Sequence, residues 1–287
     1  MKITAVVVTY NRLELLKENI EALSRQTVSG LKILVVDNHS TDGTKEYLEN
    51  NTYDDLKVLS LPENLGGAGG FFYGIKKAYE DGADAVWIMD DDTIPNSNAL
   101  EELLRGGKNL KENYGFLASD VRWVDNAPCV MNMVHKIGKS QETYDRIDTA
   151  TFVSLLIPRE TISKIGLPVK EYFIWGDDKE FTLRISDRLP CYFIPASKVV
   201  HKMAVNVGSN IVTDEPQRIQ RYFYAYRNDY ATAKKRGLKH LAVYYAGFCL
   251  NYLRVLLYSK QGKKERLNVM KRGLKAGREF SPVEERI

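Results

Sequence analysis

Three consecutive carboxylates, Asp90-Asp91-Asp92, follow the apolar run Ala85–Met89. Adjacent carboxylates repel one another, so the triplet is costly unless a cation neutralises it. Oxygens offered by alternate residues, Asp90 and Asp92, suit a hard divalent ion, Mg²⁺ or Mn²⁺, that bridges to phosphate. Taken alone, the triplet reads equally well as a solvated loop. Two other apolar runs also end in polar residues: Thr9-Tyr10-Asn11-Arg12 closes the first and Asp37-Asn38 the second. Ligands of open α/β sheets sit beyond the carboxyl ends of the strands, so three such ends on one edge favour a site.

Further along, Asn64-Leu65-Gly66-Gly67-Ala68-Gly69-Gly70-Phe71 places four glycines ahead of an expected helix. Backbone there can approach a ligand closely, with free N–H groups facing it. A dinucleotide fingerprint is disfavoured, because the first strand-to-helix turn has no glycine and this segment follows the third strand. In Phe173-Ile174-Trp175-Gly176-Asp177-Asp178-Lys179-Glu180-Phe181, acids and an aromatic meet at a loop-to-helix junction. Acids at a helix start also serve simply as caps, since they favour the dipole. Trp175 beside them suits a sugar-contacting surface. His201 closes another short apolar run; a lone histidine is more often structural.

These residues need elements to hold them. Ile3–Thr9, Leu31–Asp37, Lys57–Leu61 and Ala85–Met89 are runs of strand length, and helices are expected over Leu13–Leu23, from Thr44, and over Phe71–Asp81. Strands alternating with helices predict an α/β domain on a mostly parallel sheet. Beyond Pro95 the pattern loosens. Strands are expected at Gly115–Ser119, Phe152–Ile157, Tyr192–Ile194 and Lys198–Val200, with a helix over Lys179–Arg188. From Pro216 onward the chain reads as consecutive helices, which divides it into residues 1–215 and a basic helical region, 216–287. The stretch Leu241–Leu250 is apolar, but Asn251 and Arg254 interrupt it before the about 20 residues a membrane span needs. A buried or membrane-surface helix is expected there.

Composition places the chain among ordinary globular proteins, with 44% hydrophobic and 27% charged residues, which excludes disordered and collagen-like classes. A net charge of +4 is too small to imply nucleic acid, although the basic residues concentrate in the last third. Cys129, Cys191 and Cys249 are odd in number and far apart, which predicts a reducing compartment. The start, Met1-Lys2-Ile3-Thr4, lacks signal-peptide architecture, so a cytoplasmic location is expected.

Taken together, Val-Thr-Tyr-Asn-Arg at 8–12, Val-Val-Asp-Asn-His-Ser-Thr-Asp at 35–42, the aspartate triplet and Trp-Gly-Asp-Asp-Lys-Glu-Phe-Thr-Leu-Arg at 175–184 resemble the inverting family 2 glycosyltransferases of GT-A fold, a Rossmann-like nucleotide-sugar-binding architecture. The resemblance covers roughly residues 1–230. The glycine-rich segment and Tyr-Arg-Asn at 226–228 look most like bacterial galactofuranosyl- and rhamnosyltransferases. It implies that Thr9 and Asp37 hold a pyrimidine base, with Arg12 near the same pocket and Asn64, Gly66 and Gly67 lining nucleotide and donor sugar. It implies Asp90 and Asp92 as metal ligands, Asp91 near the donor, and Asp178 as general base, with Asp177 the competing candidate. His201 aligns with a histidine that completes the metal site in the galactofuranosyl branch. Arg227 either adds a second cation at the diphosphate or serves the surface, and Trp175 is the expected acceptor contact.

The expected reaction is direct displacement at the anomeric carbon, from a nucleoside-diphosphate sugar to a glycan or lipid-linked acceptor of a bacterial cell surface. UDP-galactofuranose is favoured as donor over dTDP-rhamnose. A non-catalytic nucleotide-sugar sensor is the rival from another class. The basic helical tail is expected to meet either an anionic membrane, at its inner face, or a second copy of the chain.

Overall fold

The β-branched run at the N-terminus forms β1 (Ile3–Thr9) in a computed structural model that describes residues 1–51, 53–139 and 144–287. β1 pairs in parallel with β2 (Lys32–Asp37) and β4 (Ala85–Asp90), and β2 pairs with β3 (Leu56–Ser60), also in parallel. Side chains along a strand alternate between faces, and both faces here are buried. Ala5 and Val7 of β1, with Trp87 and Met89 of β4, face α1 (Leu13–Ser24) through Leu16, Ile20 and Leu23. Val6, Val8, Val86 and Ile88 face α3 (Gly66–Glu80) through Phe71, Phe72 and Ile75. The short α2 (Thr44–Glu49) lies between β2 and β3 in the chain.

The second half of the sheet is mixed. Its order is β3-β2-β1-β4-β9-β6-β10-β8-β7. β9 (Leu155–Pro158) runs antiparallel between β4 and β6 (Leu117–Arg122). β10 (Tyr192–His201) pairs in parallel with β6 and antiparallel with β5 (Thr93–Pro95) and β8 (Asp145–Thr149), and β8 pairs with β7 (His135–Lys139). The parallel expectation therefore holds for the first four strands and gives way to antiparallel neighbours beyond them. The two strands expected within 192–200 are one, bent by a register shift between Ile194 and Lys198. Helix α4 (Ala99–Asn109), which the loosened pattern concealed, packs closely on β10: a Cβ at Gly106 would lie 2.7 Å from Ile194 Cδ1. Helices α5 (Arg159–Ile165) and α6 (Asp177–Ser186) complete this half.

The last quarter is helical, as expected: α7 (Pro216–Ile219), α8 (Tyr222–Arg236), α9 (Leu238–Tyr258) and α10 (Lys263–Glu279). Ile211, Ile219, Tyr222, Tyr226, Val255, Val269 and Met270 form its own small core. Helices α8 and α10 approach so closely that a Cβ at Gly273 would meet Phe223 O at 2.7 Å. Helix α9 is not buried, which removes one branch of the expectation for it; only 6% of its most apolar window is covered.

Candidate active site

Because β1, β2 and β4 are adjacent and parallel, Thr9, Asp37 and Asp90 end at one edge of the sheet. The chain then turns through Asp91 and Asp92 into β5, whose antiparallel pairing sets Thr93 opposite His201. Lys202 N donates to Asp92 O at 2.8 Å and locks that register. His201 Nε2 consequently lies 3.0 Å from Asp92 Oδ1, and one ligand atom from each of Asp90, Asp92 and His201 falls within 4.8 Å of the others. Sequence separates His201 from the two acids by more than a hundred positions; one three-residue strand brings them together.

The other side of the histidine is fixed by residues that sequence reasoning missed. His201 Nδ1 is 2.8 Å from Asn132 Oδ1, and Asn132 Nδ2 donates to Thr151 Oγ1 at 2.7 Å. An amide oxygen only accepts, so Nδ1 carries a proton and, in the neutral ring, Nε2 presents a lone pair. Cys129 Sγ donates to the same Asn132 oxygen at 2.8 Å. Asp92 Oδ1 is buried and has no donor in hydrogen-bond geometry, although Nε2 is close. A buried acceptor left without a donor is costly. Two acids and a histidine converging on such an atom fit a hard divalent cation, with the second neighbours that metal-binding histidines ordinarily have. Without a cation, burial would lower the His201 pKa, but Asp92 and Cys129 outweigh it and push it up to about 10. Burial and the neighbouring Asp92 raise Asp90 to about 7.

Asp91 has a different task. It is raised to about 6, chiefly by burial, and accepts from the buried Thr9 hydroxyl at 2.8 Å. The Arg12 Nη1 sits 2.5 Å from Asp92 Oδ2 and 3.4 Å from Asp91 Oδ1, bracing the triplet from its half-exposed side. Thr9 and Arg12 are thus gathered at the acids themselves. Asp37 is buried and accepts from Ser40 N at 3.0 Å. Its neighbour Asn38, singled out in the sequence only as part of that polar strand end, staples the edge together. Asn38 donates to Asn64 Oδ1 at 3.1 Å and Gly66 O at 3.0 Å, and accepts from Leu65 N at 2.9 Å.

The glycine-rich segment corrects the expectation most plainly. The four glycines lie inside α3 rather than ahead of it. A Cβ at Gly69 would overlap Leu65 Cβ, one at Gly70 would overlap Val8 Cγ1, and one at Gly66 would overlap Phe173 O. Three of the four therefore allow close packing within the protein rather than approach of a ligand. Gly67 alone of the four has open space around its Cβ position.

The loop facing Gly66 is strained. Phe173 (φ 65°), Trp175 (φ 64°) and Gly176 (φ 86°) are left-handed immediately before α6. Each such non-glycine residue costs about 1–3 kcal/mol and persists only where its surroundings over-determine it. Here Ala68 N donates to Phe173 O at 3.1 Å. The fully buried Asn228 points Nδ2 at the carbonyls of Tyr172 (2.9 Å), Ile174 (3.2 Å) and Trp175 (2.7 Å). Arg227 donates from Nη2 to Glu171 O at 2.7 Å and Tyr172 O at 3.1 Å, and from Nε to Asn228 Oδ1 at 2.9 Å. Its guanidinium also lies 4.1 Å from the Phe280 ring centre. Arg227 is therefore committed beneath the loop instead of being gathered with the acids. Trp175 packs edge-on against Tyr222, with ring centres 5.0 Å apart.

Out of this loop come the two acids that open α6. Asp177 is buried and held well above the usual carboxylate range by burial, then by Asp178 and Asp90, so it is the one influenced by the metal-ligand candidates. Asp178 is raised to about 6, chiefly by burial; the Lys179 backbone N–H, 2.6 Å from Oδ1, opposes the shift. Lys179 itself turns away to Asp229 at 2.8 Å.

Residues 4–114 match the family described as Glycosyl transferase family 2. Among curated proteins, the galactofuranosyltransferase GlfT1 of Mycolicibacterium smegmatis is 26% identical, covering 83% of this chain and 85% of the relative. GlfT1 of Mycobacterium tuberculosis is 28% identical, covering 83% and 84%. Among solved structures, GalNAc-T7 with UDP, GalNAc and Mn²⁺ superposes with a TM-score of 0.69 at 14% identity, over 96% of this chain and 56% of that one. The mannosyltransferase PcManGT from Pyrobaculum calidifontis, with GDP-Man and Mn²⁺, gives 0.58 at 17% identity over 98% and 73%. S. aureus TarS gives 0.57 at 16% over 98% of this chain, which spans only 44% of the TarS chain. These structures establish a shared GT-A-like fold.

Proposed function

We propose that this chain, whose residues 4–114 match glycosyl transferase family 2, transfers a sugar, with inversion, from a nucleoside-diphosphate donor to an acceptor hydroxyl. The observation that carries the proposal is the meeting of Asp90, Asp92 and His201 at the sheet edge that α6 approaches with a second pair of acids. A divalent cation held by Asp90, Asp92 and His201, Mn²⁺ or Mg²⁺, supplies positive charge against the departing diphosphate. Thr9, Asp37, Asn64 and Gly67 surround the nucleotide in this reading, and Asp91 and Arg12 keep the metal-facing carboxylates in place.

Asp178 takes the proton of the acceptor hydroxyl as its oxygen bonds to the anomeric carbon, while the carbon–oxygen bond to the diphosphate breaks on the opposite face. A carboxylate raised to about 6 is suited to this, because a general base works best with a pKa close to the working pH. Asp177, buried nearer the metal-ligand candidates, shapes that environment. Trp175 offers an apolar face to the acceptor sugar. Residues 1–215 handle donor and base, and residues 216–287 support them from below.

UDP-galactofuranose is the favoured donor, supported by the two curated relatives and by His201 as third ligand. A dTDP-rhamnose donor is the alternative, since uracil and thymine present the same ring N–H to Asp37. The acceptor is a glycan or lipid-linked glycan of a cell-surface polysaccharide, reached from the cytoplasm. The test is a donor panel with Mn²⁺, scored by nucleoside diphosphate release with and without candidate acceptors. Acceptor-stimulated release from UDP-galactofuranose is expected. Binding of donors with no release from any of them would establish a non-catalytic sugar-nucleotide receptor instead.

A further inference from the structure

Helix α9 is the least covered apolar element of the described chain. Its inner side, Tyr244, Phe248, Tyr252 and Val255, packs on α8 and α10. Its outer side shows Leu238, Val243, Leu250, Leu253 and Leu257 to solvent, with Leu257 69% exposed. Contiguous apolar surface of this kind marks an interaction site. Between Tyr230 and Lys264 the sequence holds no acid, whereas Lys239, Arg254, Lys260 and Lys264 are exposed at the ends and flank of the helix.

We propose that α9 lies flat on an anionic lipid bilayer, its Leu250–Leu253–Leu257 face in the acyl boundary and Lys239, Arg254, Lys260 and Lys264 among the headgroups. Length and composition alone would also permit α9 to cross a membrane. Packing opposes that. Helices α8 and α10, which precede and follow it, both lie against its inner side and carry Lys234, Lys271, Arg272, Lys275 and Arg278 on their exposed surfaces. Immersing α9 on all sides would drag those charges into hydrocarbon, whereas a flat helix needs only one apolar face and a basic rim. A second copy of the chain fits the same face less well, since a two-fold contact would bring the basic rims of two copies together with no acids on α9 to answer them.

The seat has a direction. Tyr244 of α9 donates from its hydroxyl to Tyr226 O at 3.0 Å, and α8 holds the 172–175 carbonyls through Asn228. The lipid-facing helix is thus one helix removed from the loop that presents Asp177 and Asp178. The proposal is independent of the donor and of catalysis.

Flotation of the full chain with vesicles tests it. Binding to phosphatidylglycerol–phosphatidylcholine vesicles is expected, with loss in phosphatidylcholine alone or in high salt, because the charge attraction is screened. Leu253→Glu with Leu257→Glu is expected to lower the bound fraction about tenfold or more. In case that variant misfolds, a polarity-sensitive dye on Cys249, the one exposed cysteine, reads the same contact in the wild-type sequence, and its emission should shift to the blue on anionic vesicles. A chain that neither floats nor shifts overturns the proposal. So does sedimentation as a dimer that Leu253→Glu with Leu257→Glu dissociates, which would assign the face to a second copy.

Discussion

The sheet edge and the loop ahead of α6 both bear a cost, and they bear it differently. At the edge it is electrostatic: Asp90, Asp91 and Asp92 are crowded and largely buried, and His201, Arg12 and the Thr9 hydroxyl offset them. In the loop it is conformational: Phe173, Trp175 and Gly176 are left-handed, and Asn228 and Arg227 of α8 hold them there. The edge is assembled by strands and by the turns and loop residues beside them, without the C-terminal helices. The loop depends on the C-terminal helices. Donor handling and proton transfer should therefore fail separately.

The largest separation is expected from Asp178→Asn, which should lower kcat about 10²–10⁴-fold while donor Kd, read by calorimetry, stays unchanged. Normal turnover would move the base to Asp177. The mirror experiment is Asp92→Ala, which should abolish the Mn²⁺-dependent part of donor binding. Equal calorimetric affinity with and without Mn²⁺ in the wild type would defeat the metal assignment.

Asn228→Ala probes the loop without touching either acid. It leaves the carbonyls of Ile174 and Trp175 without their donor and Tyr172 O with Arg227 alone, at about 1–3 kcal/mol of stability. A shifted base also predicts a kcat about 10²-fold lower, with donor binding retained. Parallel loss of kcat and donor affinity would mean that the two regions are one unit.

Acidity sharpens the same contrast. With Asp178 raised to about 6, kcat should climb through an acidic limb centred near that pH, because the base acts only when ionised. The sign for stability is opposite. A carboxyl whose folded pKa lies above its unfolded value favours the folded state at low pH, and that contribution is lost as pH rises through the folded value. Asp178→Asn should thus raise Tm relative to wild type at pH 8 and lose that advantage by pH 4. A constant difference in Tm across this range would rule out the shift.

The smallest effects separate two kinds of glycine. Gly70→Ala presses on Val8 and should cost about 1–3 kcal/mol in urea denaturation. Gly67→Ala meets open space and should leave stability within about 0.5 kcal/mol, so any weakening of donor affinity there reports contact with the ligand.

Much of this was legible in the chain. The bounds of β1 and the ends of β2 and β4 follow from apolar runs that stop at a polar residue, because a strand buried on both faces tolerates no polar interruption. The helical tail and the start of α6 were readable from spacing to within a few residues. The glycines misled, since composition cannot distinguish a glycine that admits a ligand from one that admits Val8.

Sequence by itself determined which residues carry charge at strand ends, and that an α/β sheet would set Thr9, Asp37 and Asp90 on one edge. The resemblance already grouped His201 with Asp90 and Asp92; only the tertiary structure showed the register that brings it to Asp92, that Asn132 orients it, that Asn228 and Arg227 hold the loop before Asp177, and that α9 lies uncovered. Each of these depends on a partner far along the chain, through the β5–β10 register or the packing of α8. Local patterning records what a residue can do; the register and packing of distant segments decide what it meets.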